Sequence, residues 1–257
     1  MKIASWNVNS IRARQERLLR WLAEQQPDIV CLQELKVTEE QFPFQALHEA
    51  GYRAAVYGQK AYNGVAILAR TELTDVERGF GDWKEEAQAR LIAATVDDLR
   101  VLSVYVPNGA EVGSEKYAHK LRWLDRLKRY LKGCDLPERP LVMCGDFNIA
   151  PEARDVAHPD AWEGTVLFNP EMRAAFRELL DLGLIDTFRK HEAGGGFYSW
   201  WDYRRLAFVR NDGLRIDHIL ATPSLADRCT AAWIDRQARK GPKPSDHAPV
   251  IAVFDWP

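Results

Sequence analysis

The chain has 257 residues, 46% apolar, 11% aromatic and 28% charged, a balance that excludes collagenous, low-complexity and largely disordered classes. Thirty-five Lys and Arg against thirty-seven Asp and Glu leave a formal charge of -2, so no global positive field advertises a polyanionic partner. The start, Met1-Lys-Ile-Ala-Ser-Trp-Asn7, lacks the apolar core of a signal peptide, and no run approaches the roughly eighteen apolar residues of a membrane span, so no membrane is expected and the cytoplasm is the expected address.

Short β-branched apolar runs predict strands at 3–6 and 29–32, separated by a helix over 10–25 with Ile11, Leu18 and Leu22 inward and Arg12, Arg14, Arg17 and Arg20 outside. Strands are expected next at 65–68, 91–96 and 101–106. A helix over 117–131 follows, with Tyr117, Leu121, Leu124 and Leu131 on one stripe and Lys120, Arg122, Arg126, Lys128 and Arg129 on most of the remainder. A strand at 141–144 precedes a helix over 170–182 that Gly183 would end as a C-cap, and strands at 216–221 and 250–254 complete the chain. Many strands, few helices and no G-x-G-x-x-G turn point to packed sheets flanked by helices rather than a doubly wound sheet. No repeat or linker interrupts the chain, so a single domain over 1–257 is expected. Cys31, Cys134, Cys144 and Cys229 form no C-x-x-C pair, and Cys31 and Cys144 sit in apolar runs, which reads as buried thiols in a reducing compartment.

The chemistry collects where the strands end: Ser5-Trp-Asn7-Val-Asn9, Leu32-Gln-Glu34, Tyr105-Val-Pro-Asn108, Gly145-Asp146-Phe-Asn148, Ile216-Asp217-His218 and Ser245-Asp246-His247. Singly these are ordinary turn, core or surface residues, as His119, His158 and His191 are read to be. Jointly, at strand ends that converge on one rim, they form an oxygen-rich, thiolate-free cluster suited to a hard cation such as Mg²⁺. No H-E-x-x-H or Cys/His spacing supports zinc, and no Walker loop supports a nucleotide triphosphatase. Metal-assisted hydrolysis of a phosphoester fits best.

Those segments, with Leu-Lys36 after Glu34, Tyr62-Asn-Gly-Val-Ala-Ile, Gly213-Leu-Arg-Ile-Asp217 and Pro244-Ser-Asp246-His247-Ala-Pro, occur in an order that resembles the exonuclease III family of apurinic/apyrimidinic (AP) endonucleases. The resemblance implies a four-layered α/β sandwich, with two packed mixed β-sheets flanked by helices, and dependence on Mg²⁺, with Mn²⁺ able to substitute. It implies that Glu34 holds the metal with Asn7, with Asp246 completing or supporting that site. Asp146 would activate the attacking water, although His247 is a second candidate for the base; Asn148 would orient the phosphate and Tyr105 donate to it. His247 would contact the scissile phosphate, held by Asp217.

Asn108 is expected on the substrate side. Phe197-Tyr-Ser-Trp-Trp-Asp-Tyr-Arg-Arg205 resembles the family's loop that enters the DNA groove, so Trp200 with Leu214 would make an apolar pocket for a flipped, baseless sugar. Arg204, Arg205, Arg210 and Arg215 would face DNA. The stretch 162–169 departs from the family, and Leu167 is expected to crowd the DNA path, which leaves the balance between AP endonuclease, 3′-to-5′ exonuclease and 3′-phosphatase activities open.

The expected protein is therefore a monomeric Mg²⁺-dependent DNA-repair phosphodiesterase acting on double-stranded DNA with abasic sites or blocked 3′ ends. Competing readings are mainly a 3′-end exonuclease, a phosphatase of the same superfamily acting on a small or lipid phosphate, and a non-catalytic nucleic-acid-binding regulator. The arginine and tryptophan loop disfavours the second and the intact site the third. Locally, residues 204–243 hold nine basic against four acidic side chains, so the near-neutral total conceals a basic segment.

Overall fold

Side chains alternate along a strand, and here both faces of the central strands are buried, so each sheet must be covered twice. The structure, a computed structural model, describes residues 1–81, 88–134, 136 and 139–256. Its strands are β1 (Lys2–Asn7), β2 (Ile29–Gln33), β3 (Arg53–Tyr57), β4 (Val65–Ala69), β5 (Leu73–Arg78), β6 (Leu91–Val96), β7 (Leu99–Tyr105), β8 (Leu141–Asp146), β9 (Ile185–Asp186), β10 (Asp217–Ala221), β11 (Cys229–Ile234) and β12 (Val250–Phe254). They form two six-stranded sheets, ordered β11-β12-β1-β2-β4-β3 and β5-β6-β7-β8-β10-β9. Both are mixed: β1 runs parallel to β2 and antiparallel to β12, and β8 runs parallel to β7 and antiparallel to β10.

The helices are α1 (Ile11–Gln25), α2 (Phe44–Glu49), α3 (Glu115–Lys132), α4 (Pro159–Trp162), α5 (Pro170–Leu180), α6 (Thr187–His191), α7 (Ala207–Arg210) and α8 (Pro223–Ala226). Ser10, Ser114 and Asn169 cap α1, α3 and α5 by accepting from Ala13 N, Tyr117 N and Met172 N. Between the sheets, Ile3, Ile29, Cys31 and Ile67 meet Ile92, Val101, Val142, Cys144 and Ile219. Outside the first sheet, Trp6, Val30 and Leu32 pack on Ile11, Leu18 and Leu22 of α1. Outside the second, Leu102, Met143 and Leu220 pack on Leu124 and Leu127 of α3 and Met172 and Phe176 of α5. The arrangement is the expected four-layered sandwich. Among the described residues no helix is long and apolar enough to cross a membrane.

The differences from expectation are local. Lys120 lies not on the outer face of α3 but fully buried, while Leu121 is only half-buried. The helix over 170–182 stops at Leu180, short of the left-handed Gly183. Strands β3, β5, β9 and β11, all at or beside sheet edges and alanine-rich, polar or very short, are not among the strands the sequence predicts. Next to the site, Gly145 is obligatory: a Cβ there would lie 2.0 Å from the carbonyl oxygen of Val104.

Behind β10, His218 packs edge-on to Phe147 and beside Phe176, fully buried. Arg215 Nη1 donates to its Nδ1 at 3.0 Å and its Nε2 donates to Ile149 O at 3.0 Å, which assigns the neutral Nε2–H tautomer. Burial, reinforced by the Arg215 charge, pushes this imidazole down to about 4. A base depressed in the folded state binds its proton more tightly when unfolded, so its stabilisation is complete above pH 6.5 and is lost as pH falls toward 4. Urea unfolding is expected to show a decline of roughly 2–3 kcal/mol across that window, flattened in His218→Gln. Equal slopes in the two proteins would contradict this account of His218.

Candidate active site

The layer between the sheets is apolar until its last two rungs. On the first, Gln33 Nε2 donates to Ser5 Oγ and across the layer to Ser103 Oγ, both at 3.2 Å, so the polar groups are satisfied in place. On the second, Asn7 closes β1, Tyr105 closes β7, Asp146 closes β8 and Asp217 opens β10, with Glu34 just past β2 and His247 shortly before β12. Asn7 Nδ2 donates to Glu34 Oε1 and to Asp146 Oδ2, each at 2.9 Å, and Tyr105 Oη donates to Glu34 Oε1 at 2.9 Å.

Glu34 holds its place through a left-handed backbone, φ 53°. Its carbonyl accepts from Ser10 N at 2.8 Å, and the two residues that follow it bond the carbonyls of Gly64 and Asn63 at 3.1 and 2.9 Å. Lys36 Nζ lies 2.8 Å from Glu34 Oε2. His247 Nδ1 sits 2.8 Å from Asp217 Oδ2, and its Nε2 faces Asp146 Oδ2 at 3.7 Å. Ser199 Oγ accepts from both Ile216 N and Asp217 N at 3.0 Å and so aims the start of β10. Ser245 Oγ donates to Asn7 O at 2.7 Å and accepts from His247 N at 3.2 Å. Asn148, also left-handed, donates its N–H to Asp146 Oδ1 at 2.9 Å and its Nδ2 to Val106 O at 3.0 Å, while its Oδ1 accepts from Asn108 Nδ2 at 3.1 Å.

Burial drives the Asp146 carboxyl up; the His247 charge opposes it and the Asp217 and Glu34 carboxylates add to it, leaving the group at about 7. Burial pulls His247 down, but Asp217 and Asp146 more than reverse this and raise it to about 10. Burial also acts to raise Glu34, yet Lys36 and the Asn7 hydrogen bond outweigh it and hold the group below the usual carboxylate range. Tyr105 is pushed well up by burial and then by Glu34 and Asp146, so it stays a neutral O–H donor.

Ligand atoms of Glu34, Asp146 and His247 lie within 4.8 Å of one another. The imidazole, charged at neutral pH, has no lone pair to give, so the donors that fit a cation there are the carboxylate oxygens of Glu34 and Asp146, a hard set; Asn7 turns its Nδ2 to both, and its Oδ1 accepts from Asn9 N at 2.9 Å. Asp246 is not among them: its two carboxylate oxygens accept from Asn9 Nδ2 at 2.9 Å and Trp200 Nε1 at 3.0 Å.

The structure brings together Asn7, Glu34, Tyr105, Asp146, Asn148, Asp217 and His247, with Asn108 exposed at the edge and Trp200 half-buried against Asp246. Arg204 and Arg205 are exposed as expected. Three expectations are corrected. Leu214 is fully buried, bonded through its backbone to Trp200 at 3.0 Å, so it supports the tryptophan and lines no open pocket. Arg215 is buried between Asp155 at 2.6 Å and Asp186 at 2.8 Å and does not face DNA. Leu167 packs into the core, its carbonyl accepting from Ala150 N at 2.9 Å, and does not crowd a surface path. Ser199, Ser245, Asn9 and Lys36 lie inside the motifs read from the sequence but carry no role there; the structure shows that they position the site, because a hydroxyl, amide or ammonium acquires its partner only when the fold closes over it.

Two mixed sheets whose shared layer ends in clustered Asn, Glu, Tyr, Asp and His place carboxylate oxygens that could hold a metal ion beside acid–base groups at one rim. Residues 4–247 match the family model described as endonuclease/exonuclease/phosphatase. The exodeoxyribonuclease III of Haemophilus influenzae is 39% identical over 266 residues, covering 99% of this chain and all of that protein. Among solved structures, an AP endonuclease from Archaeoglobus fulgidus superposes with a TM-score of 0.97 at 43% identity over the whole of both chains. The 3′ phosphatase NExo from Neisseria, bound to a product DNA hairpin, does so at 0.97 and 42%, again over the whole of both. The chain belongs to the endonuclease/exonuclease/phosphatase family.

Ser199→Ala would leave two buried N–H groups unpaired at the start of β10. Unfolding free energy is expected to drop by about 2–4 kcal/mol in urea titrations. A loss under ~0.5 kcal/mol would show that Ser199 does not hold Asp217 in place.

Proposed function

We propose that this protein is a Mg²⁺-dependent DNA-repair phosphodiesterase that incises double-stranded DNA 5′ to an abasic site, leaving a 3′-hydroxyl, and also trims 3′ ends as exonuclease and 3′-phosphatase. The observation that carries this reading is the rung itself: the buried Asp146 carboxylate lies 3.7 Å from the Nε2 of an imidazole bound to Asp217 and within 4.8 Å of Glu34, and burial pushes it up toward neutrality. A group near neutrality serves proton transfer best, because it is both unprotonated enough to accept and basic enough to pull. Asp146 takes a proton from water; the oxygen attacks phosphorus and the bond to the 3′ oxygen breaks, leaving the 5′-phosphate on the abasic residue, while the departing 3′ oxygen takes a proton from solvent to become the 3′-hydroxyl. Glu34, with Asn7 bonded to it, would hold Mg²⁺ or Mn²⁺, and Asp246 would support that site from behind through Asn9; the ion would supply charge neutralisation on the phosphoryl oxygens. His247, kept cationic by Asp217, contacts those oxygens too, Tyr105 donates to them, and Asn148 and Asn108 orient the group.

DNA is met by Trp200, Arg204 and Arg205. Of the basic side chains of 204–243, Arg204, Arg205, Arg210, Arg228, Lys240 and Lys243 are exposed, a set that supplies phosphate contacts expected to weaken with salt. The pairing of 3′-end trimming with incision is supported by relatives named for each activity at 43% and 42% identity. The protein is taken to be one domain over 1–257, monomeric on its DNA, in the cytoplasm, where four free thiols are at home.

Purified protein with Mg²⁺ is expected to nick a duplex carrying one abasic analogue and to stop in EDTA; equal rates under chelation would sink the metal-assisted reading. Asp146→Asn should lose turnover by about 10³-fold with DNA binding retained, and Asp217→Asn by about 10²-fold. A fully active Asp146→Asn protein would remove the base from Asp146.

A further inference from the structure

We propose that Lys120 is a positioning residue for the reaction: its ammonium, reaching from α3 beneath the site, pins the two loops that carry Asn108 and Asn148, together with the segment at Val166, to one point. Lys120 is fully buried. Its Nζ donates to Asn148 O at 2.7 Å, Val166 O at 2.7 Å and Asn108 O at 3.2 Å. All three acceptors are main-chain carbonyls, from three segments far apart in the chain.

A buried ammonium is tolerated only when its protons are all bonded, and three carbonyls match its three N–H groups one to one. A neutral amine would leave one of them unpaired. Burial pushes this amine down to about 7 and the Asp146 charge opposes it; with a proton on each of its three hydrogen bonds, only the ammonium fills the carbonyl cage. Elsewhere the inward face of α3 carries Trp123, Leu124, Leu127 and Leu131, so an apolar side chain at 120 would meet the packing needs of the helix at less cost. What an apolar side chain would not do is hold the carbonyls.

The consequence falls on the asparagines. Asn148 is left-handed, with its N–H on Asp146, its Nδ2 on Val106 O and its Oδ1 bonded to Asn108; Lys120 takes the remaining carbonyl and so fixes every polar atom of the residue. Asn108 Oδ1 accepts from Ala110 N at 3.2 Å, and Lys120 again holds the carbonyl. The stem of the lysine runs under Gly109, where a Cβ would come within 3.1 Å of its Cδ and where φ is +97°. Two amides expected to orient the phosphate are thus set by a side chain that touches neither substrate nor metal. Pre-organisation of this kind acts on the chemical step more than on DNA affinity.

The inference rests on the proposed function for its kinetic arm only. In Lys120→Met, full-length and with Mg²⁺, kcat on an abasic duplex is expected to fall at least about tenfold with KM for DNA within about threefold. Without DNA or metal, amide hydrogen exchange at 108–110 and 148–150 should speed at least about tenfold while β1 and β8 stay protected. Wild-type kcat in the variant, or unchanged exchange in both loops, would overturn the role of Lys120. If Lys120→Met does not fold, Lys120→Arg keeps charge and donors and should retain protection in both loops; a folded Arg variant with both loops unprotected would overturn it as well. A wild-type protein that nicks no abasic duplex, while the exchange difference persists, would instead count against the proposed activity and leave the pinning intact.

Discussion

One hydrogen-bonded bridge ties the fold to the site. Asn7 ends a strand of one sheet and Asp146 a strand of the other, and the single amide nitrogen of Asn7 reaches both Asp146 and Glu34 at 2.9 Å. The two carboxylates it joins are the groups whose charge the site must manage, one lowered by Lys36 and one raised by burial. Since the bridge lies at the end of the layer between the sheets, the distance between them is also set by Ile3, Ile29, Val142 and Ile219 packing behind it. Core packing and electrostatics are therefore not separable here: a shift of one sheet against the other would move Asp146 relative to Glu34.

The same logic explains why so many supporting residues are buried hydroxyls and amides. A carboxylate can remain in a low-dielectric layer only where donors and cations meet it. Asp217 meets such a partner at one oxygen only: His247 Nδ1 lies 2.8 Å from its Oδ2, its Oδ1 is buried without a hydrogen-bond partner, and Ser199 fixes its backbone N–H rather than its charge. Behind it, Arg215 bridges Asp155 and Asp186, a fully buried charge cluster on the far side of β10 that holds the strand from the outer layer.

Most of the architecture was legible because apolar runs such as 29–32 and 141–144 lie buried on both faces and advertise themselves by composition. The four strands that went unread lack that signal for physical reasons. Strand β5, Leu73–Arg78, is an almost wholly exposed edge; β3 and β11 are alanine-rich edges; β9 has two residues. The site was legible as a set of strand ends carrying Asn, Glu, Asp and His, since function of this kind needs oxygen and nitrogen ligands where strands stop. Residues whose role depends on closure were not. Lys120 reads as surface on a helical wheel, because a periodicity cannot see carbonyls converging from 108, 148 and 166. Leu214 and Arg215 read as substrate contacts through the loop at 197–205, but a resemblance along the chain does not say which side of the strand they bury.

The central claim, that water made nucleophilic beside Asp146 attacks phosphorus, is tested most directly by isotope. An abasic duplex incised in H₂¹⁸O should carry one ¹⁸O in the 5′-phosphate of the downstream fragment, with an intact 3′-hydroxyl on the upstream one. Incision with no ¹⁸O incorporated and an unsaturated sugar at the 3′ end would mean elimination at carbon, and would contradict hydrolysis at this site altogether.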